Sequence, residues 1–292
     1  MSGWDIADIP DQTGRRVIVT GANSGLGAAA ASALAAAGAE VILACRNLEK
    51  AAPVAAEIGA RAQVRALDLA DLASVREFAA AVDRVDVLMN NAGVMAVPAK
   101  RTADGFEMQF GTNHLGHFAL TGLLLDKITD RVVTVSSWGH RFGRINLGDP
   151  NWESRRYDRW LAYGQSKLAN LLFTAELQRR LTAAGSATLA TAAHPGYAAT
   201  ELTTHTESVM DRLLSIGDNT IAQSAEKGAL PQLFAATAPV EPGGYYGPHG
   251  IGGLRGYPVR CGSSKAARDE RKAAELWELS EKLTGVSYRF AG

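Results

Sequence analysis

Apolar runs of strand length alternate with helical periodicity along most of the chain, beginning near residue 15. "RRVIVTGA" (15–22) is followed by the alanine-rich "AAAASALAAAG" (28–38), then by "AEVILACR" (39–46) and a helical "NLEKAAPVAAEIG" (47–59). "AQVRALDLA" (62–70), the helical "LASVREFAAAV" (72–82) and "VDVLMNNAG" (85–93) continue the alternation. "RVVTVSS" (131–137), "ATLATAAHPG" (187–196) and "GYYGP" (244–248) complete a set of about seven predicted strands, and "DERKAAELWELSEKLTG" (269–285) reads as a C-terminal helix. Unbroken apolar runs predict strands covered on both faces, as in a parallel sheet. Helices between them imply right-handed βαβ units and a doubly wound α/β sheet. No repeat, linker or composition break divides the chain, so one domain over 1–292 is expected, with residues 12–100 as a cofactor half and 101–292 as a catalytic and substrate half.

The first strand runs directly into "TGANSGLG" (20–27) and then into a helix. Glycines there let the chain turn tightly, bring bare amides close to a phosphate and set it on a helix N-terminus. The spacing G-x-x-x-G-x-G differs from the commoner G-x-G-x-x-G, but its position between first strand and first helix predicts a Rossmann-type dinucleotide site. Choice of nucleotide belongs to the end of the second strand, where an acid holds the ribose hydroxyls in NAD sites. Here "LACRN" presents Arg46, with no acid before Glu49. A guanidinium there can pair with a 2′-phosphate that a carboxylate would repel, so NADP(H) is favoured over NAD(H).

Charge and composition narrow the function class. Thirty lysines and arginines balance thirty aspartates and glutamates, which argues against a nucleic-acid partner, since phosphate binding calls for a basic excess. No segment is long and apolar enough to span a bilayer, and "MSGWDIADIPDQTGRR" has neither signal-peptide nor anchor character. Two distant cysteines, Cys45 and Cys261, lack metal-type spacing. A cytoplasmic protein without a membrane anchor is the expectation. His114 and His117, three apart on one helix, lack an H-E-x-x-H context and a third ligand nearby, so packing is favoured over a metal role. No G-x-S-x-G elbow surrounds Ser136, Ser137 or Ser166, which disfavours a hydrolase.

In "YGQSK", Tyr163 and Lys167 stand four apart, one turn along the same face of a predicted helix. Taken with "TGANSGLG", "NNAG" (90–93), Asn113 in "GTNHLGHF", "VSS" ending at Ser137 and "HPG" (194–196), this order resembles the short-chain dehydrogenase/reductases from about Arg15 to the end of the chain. "NNAGVM", "TNHLGHFALTGLLL", "SKLANLLFTAEL" and "LWELSEKLTG" look more like the retinol dehydrogenase and protochlorophyllide reductase-like branch.

The resemblance implies an oxidoreductase in which Tyr163 is the acid for carbonyl reduction and the base for alcohol oxidation. Lys167 would supply a cation beside it and hold the nicotinamide ribose, Ser137 would hydrogen-bond the substrate oxygen, and Asn113 would hold a relay water. A phenol titrates near 10, so poising it near 7 takes roughly 4 kcal/mol of preference for the phenolate. Gly21, Asn23, Ser24, Gly25, Leu26 and Gly27 would line the pyrophosphate turn, and Arg46 would meet the adenosine phosphate. Asp68 and Leu69 would meet the adenine, Asn91, Ala92 and Gly93 would pack along the adenosine, and Pro195, Gly196 and Thr200 would contact the nicotinamide end.

The substrate expected is a small lipophilic carbonyl or alcohol. Two alternatives stay open: a light-dependent or other C=C reductase of the same fold, and a non-catalytic NADP(H)-binding sensor or scaffold. Residues 138–162 exceed the spacing of compact relatives and carry Trp138, Trp152, Tyr157 and Trp160, five arginines and three acids. A flap over an apolar pocket is the favoured reading of that insert. Residues 198–222 read either as a substrate lid or as a surface excursion. Family habit implies a homodimer or homotetramer through the Tyr163–Lys167 helix, with Leu168, Leu171, Leu172 and Leu177 as apolar candidates, some of which must instead face the sheet.

Overall fold

The computed structural model describes residues 3–197 and 223–290; Thr200 and the 198–222 segment lie outside them. Strand β1 (Arg16–Thr20) carries Ile18 into one apolar layer and its neighbours Val17 and Val19 into another. Strand β2 (Glu40–Cys45) repeats this, with Ile42 and Ala44 on one side and Val41, Leu43 and Cys45 on the other. Both faces are therefore covered, which is why these strands are apolar without alternation.

The sheet continues through β3 (Ala62–Ala66), β4 (Val85–Asn90), β5 (Ile128–Val135), β6 (Leu189–Ala193), β7 (Tyr245–Pro248) and β8 (Pro258–Arg260). Their order is β3-β2-β1-β4-β5-β6-β7-β8, and every neighbouring pair is parallel except β7 with β8. The eighth strand exceeds the seven expected from the sequence. It is three residues long, too short for a pattern, and forms because the chain doubles back along the open edge of β7. Winding reverses between β1 and β4, so a crevice opens beyond the carboxyl ends of the central strands, where ligands of such sheets bind.

On one face lie α1 (Gly25–Ala36), α2 (Leu48–Ile58) and α7 (Ala225–Thr237); on the other lie α3 (Leu72–Ala80), α5 (Gly116–Leu124), α6 (Arg159–Ala183) and α8 (Glu270–Thr284). A short α4 (Met108–Phe110) enters α5 through a π-helical turn, Gly111–Leu115. Helix α6 starts where Asp158 Oδ1 accepts the Trp160 and Leu161 amides, four residues before Tyr163. Helix α8 and the tail seal α5 and α6: the Trp277 ring lies 5.1 Å from Phe118, 5.8 Å from Phe173 and 4.4 Å from Tyr288. Leu168, Leu171, Leu172 and Leu177 are all buried within the chain's own core. They are therefore not the apolar positions offered to a second copy that the sequence suggested.

Candidate active site

The glycine turn sits at the carboxyl end of β1. Gly21 has φ +67° and Gly25 φ +52°, left-handed values that cost glycine little. A Cβ on Gly27 would stand 2.4 Å from the Gly21 carbonyl oxygen, so the turn closes directly onto the helix. Side chains of Asn47, Asp71, Asp158, Ser224 and Asp269 cap the amides of α2, α3, α6, α7 and α8. Helix α1 has no such cap, because the Ser24 side chain accepts none of its amides. An uncapped helix start behind a glycine turn has the donor set a pyrophosphate requires, so Asn23, Ser24, Gly25 and Leu26 fit the part assigned to them.

Asn91 and Ala92 are held against this turn. Both backbone amides donate to Thr20 Oγ1 at 2.9 Å, and Asn91 Nδ2 donates to the Thr20 carbonyl at 2.7 Å. Arg46 is exposed at the end of β2 and forms no ion pair or hydrogen bond with the described residues. Asp68 is half-buried, its Oδ1 accepting the Ala70 amide at 2.9 Å. Leu69 is buried against Gly116, where a Cβ would stand 2.3 Å from the Leu69 carbonyl oxygen. The Pro195 carbonyl accepts Gln223 Nε2 at 3.3 Å, and Gly196 has φ +71°.

The catalytic candidates meet where β5 ends against α6. Ser137 Oγ accepts the Gly139 amide at 3.1 Å, and a Cβ on Gly139 would lie 3.1 Å from the Tyr163 ring, so the serine turn packs beside the phenol. Lys167 Nζ lies 5.9 Å from the Tyr163 ring centroid and donates to the Val135 carbonyl at 3.1 Å. Ser136 Oγ donates to the Lys167 carbonyl at 2.8 Å, tying the strand end to the helix a second time. Burial pushes the Tyr163 phenol up to about 12, with the neighbouring Ser137 hydroxyl opposing it. Burial also holds the Lys167 ammonium down to about 8. A buried site disfavours both charged forms.

Asn113 stands in the π-helical turn, a distortion that recurs at functional sites. Its Oδ1 accepts the Val94 amide at 2.8 Å, and its Nδ2 donates to the Val94 carbonyl and to Ser166 Oγ, each at 2.9 Å. Ser166 Oγ in turn donates to the Tyr163 carbonyl at 2.8 Å. A Cβ on Gly93 would lie 3.2 Å from Asn113 Oδ1 and 3.3 Å from Lys167 Nζ, so only the bare glycine separates the two groups.

The family model described as short chain dehydrogenase matches residues 15–211. The chain belongs to the short-chain dehydrogenase family. Human retinol dehydrogenase 13 is 43% identical over 292 residues, covering 94% of this chain and 85% of that protein. Human retinol dehydrogenase 12 is 40% identical over 294 residues, covering 94% and 88%. A crystal structure of an uncharacterized protein from Mycobacterium Paratuberculosis matches with TM-score 0.87 and 52% identity, over 99% of this chain and 100% of that one. One described as an NAD(P)-dependent gluconate 5-dehydrogenase from Beutenbergia cavernae, with NADP bound, matches at TM-score 0.61 and 29% identity over 78% and 92%. These relatives agree with the retinol dehydrogenase-like branch that the motifs resemble.

In this short-chain dehydrogenase the two histidines of "TNHLGHF" separate. His114 packs among Phe110, Phe118 and Phe173, with Nε2 2.9 Å from Ser280 Oγ. His117 Nδ1 faces the Asn113 carbonyl at 3.0 Å, so it carries the proton, and its bare Nε2 meets the Thr20 hydroxyl at 2.9 Å. It thus bridges the cofactor turn to the helix of Asn113, a role that spacing alone gave no sign of. The Cys45 thiol is buried and pushed up to about 11, opposed by the Ala22 and Asn23 amides. In the 138–162 insert, Trp152 packs edge-on to Tyr157 at 5.7 Å, and the Arg155 guanidinium lies 3.5 Å over the Trp152 ring. Trp138 and Trp160 of the same insert remain exposed. Among the described residues no helix is long and apolar enough to cross a membrane.

Proposed function

We propose that this enzyme is an NADP(H)-dependent oxidoreductase that interconverts a lipophilic carbonyl compound and its alcohol, with Tyr163 exchanging the proton at the substrate oxygen. The observation that carries the reading is the convergence of the Ser137–Gly139 turn and the Lys167 ammonium on the Tyr163 ring. When bound, a nicotinamide cofactor supplies or accepts the hydride. The Tyr163 hydroxyl donates its proton to the oxygen of a carbonyl undergoing reduction, and Ser137 Oγ orients that oxygen and stabilises the charge developing on it.

With a phenol pushed up to about 12, the neutral acid is the form present at pH 7, which suits reduction. Oxidation needs the phenolate, and the nearby Lys167 cation favours it. An ammonium held down to about 8 is still mostly protonated at neutral pH. The lipophilic preference is supported by Trp138 beside Ser137 and by Trp160 and Leu161 in the first turn of α6, all exposed, and by relatives named for retinol. Large apolar side chains left exposed near reacting groups suit apolar ligands.

NADP(H) is favoured because Arg46, at the position that sets ribose recognition, is exposed and uncommitted among the described residues. The test is a binding titration with NADPH and NADH, repeated on Arg46→Asp, followed by turnover of aldehydes from short and polar to long and apolar, retinal included. Tighter NADPH binding, lost by about tenfold or more in Arg46→Asp, is expected, with efficiency rising along the aldehyde series. Tighter binding of NADH, unaffected by Arg46→Asp, would overturn the cofactor assignment. A flat aldehyde series would overturn the lipophilic one.

A further inference from the structure

His140 lies in the 3₁₀ turn Trp138–Arg141, three residues after Ser137, and is 1% exposed. Its Nδ1 is 2.7 Å from the Ser137 carbonyl oxygen, and its Nε2 is 3.2 Å from the backbone nitrogen of Ser264. A carbonyl can only accept and an amide N–H can only donate. Nδ1 must therefore carry the proton and Nε2 must be bare, so the neutral Nδ1–H tautomer is the one form that satisfies both partners. Protonating Nε2 would set an N–H against an N–H in a buried site.

This ring closes a frame around the serine. The Ser137 carbonyl also accepts the His140 backbone amide at 3.1 Å, while Ser137 Oγ is fixed by the Gly139 amide. On the other side, the Ser136 amide donates to Ala193 on β6, and the Ser136 hydroxyl bonds the helix of Tyr163 and Lys167. The Ser264 end is itself anchored: the Cys261 amide donates to the Tyr245 carbonyl at 2.7 Å, and Arg141 donates to the Gly262 carbonyl at 3.2 Å. The Tyr245 ring meets His140 edge-on at 5.7 Å and His194 at 5.2 Å, so the imidazole cannot swing away.

We propose that His140 is a positioning residue for the reaction: its neutral imidazole ties the Ser137 peptide to the Ser264 backbone and thereby sets the direction of the serine hydroxyl toward Tyr163 and the substrate oxygen. Its ring is buried and both of its nitrogens are committed to backbone groups. The inference rests on the catalytic reading of Ser137 and Tyr163, and its role is separable from theirs because it acts on the backbone.

The test compares wild type with His140→Ala, His140→Asn and Tyr163→Phe. Asparagine returns a donor near the Nδ1 position, whereas alanine returns nothing. His140→Ala is expected to lower kcat by about 10-fold to 100-fold, the scale of a misdirected group in a reacting site, with KM and NADPH affinity changed less than about twofold. His140→Asn should recover most of kcat. Equal loss in both variants, or a His140→Ala kcat within about twofold of wild type, would overturn the proposal. In the second case, an inactive Tyr163→Phe would leave the functional reading intact, so the two failures are distinguishable.

A second measurement does not depend on turnover. Imidazole ¹⁵N–¹H correlation spectra, with His140 assigned by its loss in His140→Asn, should report a neutral ring protonated at Nδ1 at pH 7. An Nε2–H ring or an imidazolium would sink the proposal whatever the activity.

Discussion

Tyr163 meets Ser137 because a strand end and a helix face converge, and each is pinned by backbone bonds rather than by chance contact. The Val135 carbonyl holds Lys167 Nζ, and Ser136 holds the Lys167 carbonyl, so Tyr163, Lys167 and the serine turn share one frame. Replacing Tyr163 by Phe removes one oxygen from that frame and leaves the ring. Turnover should fall by about 10²-fold to 10⁴-fold, the usual worth of a positioned acid, while NADPH affinity stays within about twofold. Steady-state kinetics beside a cofactor titration check this, and unchanged turnover would remove the tyrosine from the mechanism. Its identity as a candidate was legible in the sequence, since a spacing of four survives any detail of packing. His140 was not legible: its importance lies in two backbone partners, one of them 124 residues away.

At the scale of an element, the glycine turn works only if α1 starts hard against β1. A Cβ on Gly27 would lie 2.4 Å from the Gly21 carbonyl oxygen and 2.6 Å from Asn91 Nδ2, contacts that force the turn or the "NNAG" segment to move. Gly27→Ala should therefore weaken dinucleotide binding by about tenfold or more, roughly 1.4 kcal/mol. Gly262→Ala, where a Cβ meets nothing within 4 Å, serves as the control and should bind normally. Equal affinity in both, by fluorescence titration, would mean the turn tolerates a side chain. The turn itself was readable from "TGANSGLG", but the π-helical turn of Asn113 was not. That distortion lies where α4 passes into α5 against α6, and no local composition marks it.

Over the whole molecule, burial decides the pH response. Burial holds His114 down to about 3, and His117 and His194 down to about 4, against an ordinary value of 6.5. Below pH 6.5 the unfolded chain binds protons at these rings that the folded chain refuses, so stability falls as the pH drops from about 6.5 toward 4. Glu107, whose carboxyl is raised by burial, acts in the opposite sense above its ordinary value of 4.5. The net expectation is a loss on the order of 3 kcal/mol between pH 7 and about pH 5.5, measured by denaturant unfolding. Burial holds His140 below its ordinary value as well, so His117→Asn should flatten that slope by roughly one ring's share, about a quarter to a third. A slope unchanged by His117→Asn would show that the ring titrates normally.

Periodicity and turn chemistry determined the doubly wound sheet, because a strand buried on both faces must be apolar throughout and a phosphate turn must be glycine-rich. The motif resemblance singled out Tyr163, Lys167, Ser137 and the glycine turn as candidates. Only the tertiary structure decided which way apolar residues face. Leu168, Leu171, Leu172 and Leu177 of α6 looked available to a second copy, yet they pack within the chain's own core, on a helix that α8 and Tyr288 help to enclose. The short antiparallel β8, the bridge from His117 to Thr20 and the clasp of His140 on Ser137 also had to await the fold. Each depends on groups distant in sequence, and a local pattern records what a segment can bury but not what will be brought against it.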